Sequence, residues 1–130
     1  MTSEDEQKAI EKDYSRSWDE KEKRYLELSS EEGWEFIIPV CAMIKELRNQ
    51  GYDRQLGVAR YWHMFVLSRS RDRELRDAKA VLVFRFKKDG RMKIQFWDDE
   101  QKQIEFEVER VEITPEIEAL LSRLLTQPVN

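Results

Sequence analysis

Four arginines crowd one short stretch of the chain: Arg69, Arg71, Arg73 and Arg76, in Arg-Ser-Arg-Asp-Arg-Glu-Leu-Arg-Asp-Ala-Lys over residues 69–79. A guanidinium makes forked hydrogen bonds to carboxylates and phosphates, so the chemistry on offer is recognition of an anion. Arg85, Lys87, Arg91 and Lys93 follow in a segment of alternating apolar and charged residues, and Trp97 closes it beside Asp98-Asp99-Glu100. Tryptophan on a surface is a characteristic interface anchor. The candidate binding residues are therefore Arg69, Arg71, Arg73, Arg76, Arg85, Lys87 and Trp97.

Other chemistry is thin. His63 is the sole imidazole, so a catalytic triad has to run through it, and a histidine packed within a sheet is the simpler reading. Cys41 is the only cysteine, which excludes an internal disulfide and any multi-cysteine metal site. It falls on an apolar helical stripe and reads as a small hydrophobe. Asp98-Asp99-Glu100 offers fewer rigidly held oxygens than a hard cation needs and reads as a solvated turn. No phosphate-binding glycine loop, nucleophile elbow, HExxH or EF-hand pattern is present. The expectation is a non-enzymatic chain with no cofactor and no metal.

Charge distribution narrows the partner. The net charge is -4, with a sequence pI near 5.2. Residues 1–53 carry a balance of -6, residues 54–93 one of +8, and residues 94–130 one of -6. Trp62 and Trp97 beside a basic sheet would suit stacking of single-stranded nucleic acid. Two acidic flanks repel a polyanion, however, and dedicated nucleic-acid domains are usually far more basic. A protein partner with an acidic patch, or the chain's own acidic N-terminal helix, ranks ahead of nucleic acid. The start of the sequence has no basic or apolar leader, and no apolar run approaches the ~20 residues of a membrane span, so a cytoplasmic setting without membrane contact is expected.

The elements that must position these residues follow from periodicity. At 130 residues, with 40% hydrophobic and 38% charged side chains, one α+β domain with a dense ionic surface is expected. Ile10, Tyr14, Trp18, Tyr25 and Leu28 place an amphipathic helix over about 4–28, capped by Thr2 or Ser3. Its stripe is thin, which leaves open loose docking on its own chain or pairing with a second copy in a homodimer. A second helix is expected over about 34–50, with Trp34 on its core stripe, either starting near Pro39 or kinked there. Residues 56–68 read as one strand with Trp62 turned inward, a helix being the alternative.

Three strands follow, at about 80–87, 91–97 and 103–112, with even-numbered apolar side chains on one face. A two-residue Asp89-Gly90 hairpin would send the apolar rows of the first two to opposite faces. A three-residue Lys88-Asp89-Gly90 loop pairs 86 with 92 and 84 with 94, and keeps them together. Pairing 96 with 104, 94 with 106 and 92 with 108 does the same for the third, with a loop from Trp97 to Gln103. Arg91 then faces Glu109, and Lys93 faces Glu107. Thr114-Pro115 starts a last helix over about 115–126, whose Ile117, Leu120, Leu121, Leu124 and Leu125 form its apolar stripe. The expected fold is a four-stranded, mainly antiparallel sheet with helices packed mostly on one face. This order of elements is similar, at the level of architecture, to small acidic α+β accessory proteins such as secretion chaperones and immunity proteins, whose motifs it does not share.

Overall fold

A computed structural model describes residues 3–61, 64–76 and 78–129. Helix α1 spans Glu4–Ser29, and Ser3 caps it, its Oγ accepting from the Glu6 amide at 3.0 Å. The expected apolar stripe is buried, and Ser17 and Lys21 are buried with it. These two polar positions are why the stripe looked thin. The helix docks on its own chain through polar groups aimed at backbone. Trp18 Nε1 donates to the Leu56 carbonyl at 2.8 Å, the Val58 amide donates to Ser17 Oγ at 2.9 Å, and the Tyr14 hydroxyl donates to the Arg69 carbonyl at 2.5 Å.

The second helical segment is divided. A 3-10 turn, Glu35–Ile37, leads into α2, Ile38–Asn49, with Pro39 in its first turn. There proline's missing N–H has no partner to lose, so the helix starts beside Pro39, at Ile38, rather than being kinked there. Trp34 precedes the helix and is only half-buried, stacked on Phe36 at 5.4 Å, a correction to its expected place on the core stripe.

The stretch 56–68 is two strands, not one. β1 is Gly57–Val58 and β2 is Met64–Ser68, an antiparallel pair with Gly57 opposite Ser68. The turn between them includes Ala59-Arg60-Tyr61, and no glycine, proline or asparagine marks it in the sequence. Trp62 and His63 lie outside the described residues, as do the readings attached to them. Gly57 is required by close approach: a Cβ there would meet the Ser70 carbonyl at 3.0 Å and the Tyr14 ring at 3.1 Å. The sheet therefore has five strands rather than four, in sequential order and wholly antiparallel, completed by β3 (Ala80–Phe86), β4 (Met92–Asp98) and β5 (Gln101–Val108).

The hairpin registers follow the parity arithmetic. Phe86 pairs with Met92 and Phe84 with Ile94, and Gly90 takes the left-handed conformation at φ 93°. Met92 pairs with Val108, Ile94 with Phe106 and Phe96 with Ile104. The second loop is tighter than expected. A bulge after Phe96 shifts the pairing to Trp97 with Lys102, and the strands continue to a two-residue turn, Asp99-Glu100, with φ 54° and 65°. Both values are positive, as a type I′ turn demands. The extra residue, Gln103, absorbs the mismatch between that turn and the even-numbered register. β5 ends at Val108, so no strand pairing carries Arg91 to Glu109.

Helix α3, Pro115–Leu125, is capped by Thr114, whose Oγ1 accepts from the Ile117 amide at 3.3 Å. Its Ile117, Leu120, Leu121 and Leu124 join α1, α2 and the inward side chains Phe65, Leu82, Phe84, Met92, Ile94 and Phe96 in one core. All three helices thus cover the same face. Among the described residues no helix is long and apolar enough to cross a membrane.

Candidate functional site

The arginine segment is answered within the chain. Arg69 donates from Nη1 to the Gln55 carbonyl at 2.9 Å and from Nε to the Gln127 carbonyl at 3.1 Å, tying the chain's C-terminal end to the β1 region. Arg71 grips Asp13 of α1 with two nitrogens, at 2.5 and 2.9 Å. Arg73 pairs with Glu20, one helical stretch further along α1. Arg76 pairs with Asp72 at 2.8 Å, and Asp72 also accepts from the Glu74 and Arg76 amides. The Arg76 hydrogen bond and these amides hold the Asp72 carboxyl below its ordinary pKa. The basic segment and the acidic helix meet across α1, with Arg71 and Arg73 as the clasps.

The hairpin cations divide unequally. Lys93 reaches Glu105 at 3.3 Å, and Lys87 reaches Glu107 at 2.9 Å. Arg91 lies 3.4 Å from Asp89 and 3.9 Å from Glu107. Glu105 also accepts from Lys102 at 2.5 Å and Gln95 at 3.2 Å, and these bonds, Lys102 first, hold its carboxyl at a pKa of about 2. Arg85 stands opposite Lys93 in the register and is exposed, with no ion-pair partner among the described residues. Like charges directly opposite destabilise a sheet unless an acid intervenes, and the acid here serves Lys93.

The face bearing Arg85 is not covered by a helix, and it is partly apolar. Ala59, Val66 and Val83 are buried there, with Met64, Leu75, Val81 and Trp97 packed against them. All of these but Ala59 line a groove of about 260 Å³, bounded by Tyr61, Arg85, Lys79 and Glu100. Trp97 is half-buried and donates from Nε1 to Gln95 Oε1 at 3.3 Å. Of the seven candidate residues, Arg85 and Trp97 share this groove. Lys87 lies beyond it, and Arg69, Arg71, Arg73 and Arg76 are engaged elsewhere as described. The apolar half of the groove escaped the sequence reading, although Val81 and Val83 signalled it: β3 is apolar at both parities, and only the even one was counted.

Cys41 is buried, and burial raises its thiol pKa. Asp98-Asp99-Glu100 forms the tight turn, and no cluster of potential metal ligands occurs among the described residues. Comparison with protein-family models, with curated proteins and with solved structures returns no match for this chain.

Proposed function

We propose that the chain is a non-enzymatic interaction module of the cytoplasm whose open sheet face binds a protein segment carrying a large apolar side chain flanked by acids. The observation that supports this most is the groove of about 260 Å³ between Met64, Val66, Val81, Val83 and Trp97. An uncovered, partly apolar sheet face is where a partner gains most by excluding water, and Trp97 is the residue type that anchors such contacts. Charge complementarity selects an acidic occupant. Arg85 and Lys79 border the groove, and neither has an ion-pair partner among the described residues. Arg69, Arg71, Arg73 and Arg76 act in this reading as struts that hold the segment 69–76 and α1 in place. Steering by Arg85 and Lys79, with burial of the apolar anchor beside Trp97, is the mechanism.

Selection from a random peptide library tests the reading, with binding of the recovered peptides compared between the wild type, Trp97→Ala and Arg85→Glu. Acidic, apolar-bearing peptides that lose about tenfold or more in affinity to each variant are the expected result. Peptides that bind all three proteins alike overturn it. Binding of oligo(dT) or oligo(U) that Arg85→Glu removes, without peptide enrichment, would replace it with a nucleic-acid role. A concentration-dependent doubling of mass that Trp97→Ala abolishes would assign the face to a second copy of the chain.

A further inference from the structure

A second site lies on the other side of Tyr61, between α1 and the turn that follows β1. It is a cleft of about 450 Å³ with four cations on its walls, Lys21, Arg24, Arg60 and Arg73, and one carboxylate, Glu20. Glu20 is taken by Arg73. Arg24 lies 4.0 Å from Glu27. The Arg60 guanidinium is exposed, and among the described residues it has no ion-pair partner.

Lys21 is the anomaly. It is 9% exposed, on the inner side of α1. Its ammonium donates to the Tyr61 carbonyl and sits 5.1 Å from the centre of the Tyr25 ring, and no carboxylate lies within ion-pair reach among the described residues. Buried ammonium groups are ordinarily paired, because desolvation is costly and only an opposite charge offsets it. Burial first, and Arg24 second, lower the Lys21 pKa to about 8. A lysine that neither contributes an ion pair nor leaves for solvent marks a place where the missing charge comes from elsewhere. An ammonium has three donors, and the Tyr61 carbonyl uses one of them.

We propose that this cleft binds a phosphate monoester, with the phosphate between Lys21 and Arg60 and its organic group against Val58, Ala59 and Tyr61. The argument is charge count and shape. A dianion supplies the counter-charge that Lys21 lacks, and an exposed guanidinium at the cleft presents the fork that phosphate oxygens accept. Val58 and Ala59 give the cleft an apolar wall that inorganic phosphate does not use. This site shares Tyr61 with the sheet-face groove but none of its charged residues, and Arg85 and Trp97 take no part in it.

Phenyl phosphate is the probe, followed by calorimetry and by the lysine side-chain signals of isotopically labelled full-length protein, with inorganic phosphate and benzoate as comparison arms. Expected are saturable binding of phenyl phosphate, weaker binding of both comparison anions, and a shifted Lys21 signal. Arg60→Ala weakens binding by about tenfold or more, and Lys21→Met abolishes it. Arg60 is exposed, so its variant stays folded and carries the test even if Lys21→Met does not. Arg85→Glu and Trp97→Ala leave binding unchanged, which separates this site from the sheet face. Absence of saturable binding, equal affinity in the Arg60→Ala protein, or loss of binding in Arg85→Glu overturns the proposal.

Discussion

The two faces of the sheet belong to the same strands but are stabilised by different means. On the helix-covered face, Leu82, Phe84, Met92, Ile94 and Phe96 are wholly buried under α1, α2 and α3. On the open face a smaller cluster around Val66 and Val83 is flanked by ion pairs from Lys87, Lys93 and Lys102 to Glu105 and Glu107. The first face depends on volume and shape, which salt barely affects. The second depends on charge in contact with water, which salt screens and pH alters. A shared backbone thus carries one face committed to the fold and another whose composition leaves room for a partner.

Truncation tests that contrast most directly. Phe84→Ala should cost about 3–5 kcal/mol, and Val83→Ala on the opposite face less than half of that, about 1–2 kcal/mol, by urea denaturation. Equal costs would mean the open face is as much a core as the other.

The next effect concerns the buried lysine beside α1. Lys21 has a folded-state pKa of about 8, below its unfolded value of about 10.4. Below pH 8 it is charged in both states, and the burial penalty is fully present. As pH rises from about 8 toward 10.4, the folded state sheds the proton first and the penalty fades. Stability should therefore rise across that window by up to about 3 kcal/mol relative to Lys21→Met, which lacks the group. The difference between the two proteins, measured by urea titration at several pH values, removes the contributions of the buried tyrosines. A difference that stays flat with pH would refute the lysine's burial as a charged group.

Smaller still is the clasp between α1 and the arginine segment. Arg73→Ala and Glu20→Ala should each cost about 1 kcal/mol or less, with a coupling energy of roughly 0.5 kcal/mol in a double-mutant cycle that shrinks in high salt. The smallest effect is local. Glu105 should titrate near its pKa of about 2 by carboxyl NMR, and Lys102→Ala should raise the midpoint. Its contribution to stability is present above the unfolded pKa, near 4.3, and is lost as pH falls through about 2. A midpoint unmoved in Lys102→Ala would remove the ionic network from the description of the open face.

Parity was legible because period two is a strict rule. Requiring Phe84, Ile94 and Phe106 on one side fixed the three-residue loop at Gly90 and most of the register to β5 without any tertiary knowledge. Thr114-Pro115 and the leucine spacing placed α3 for the same local reason. The β1–β2 turn was not legible, because Ala59-Arg60-Tyr61 carries no turn residue and the apolar run continues through it. Nor were the partners of the arginines: Asp13 and Arg71 are 58 positions apart, and Glu20 and Arg73 are 53. Each of those charges has many equally spaced candidates until the helix is docked. The burial of Lys21 hid for a related reason, since a lysine in an amphipathic pattern normally marks the wet side. The seven candidate residues were chosen for charge and aromaticity alone, and only Arg85 and Trp97 came together in one groove.

The hydrogen bonds that seat α1 have a consequence for synthesis. Its tryptophan, serine and tyrosine find their backbone partners 38, 41 and 55 residues downstream. At ribosomal rates of ~5–20 residues per second, the first helix emerges on the order of seconds before its seat exists. During that interval Tyr14 and Trp18 lack the backbone carbonyls that seat them. During synthesis the segment most exposed to aggregation is therefore α1, which waits for its seat, rather than α3, which follows the strands it packs on.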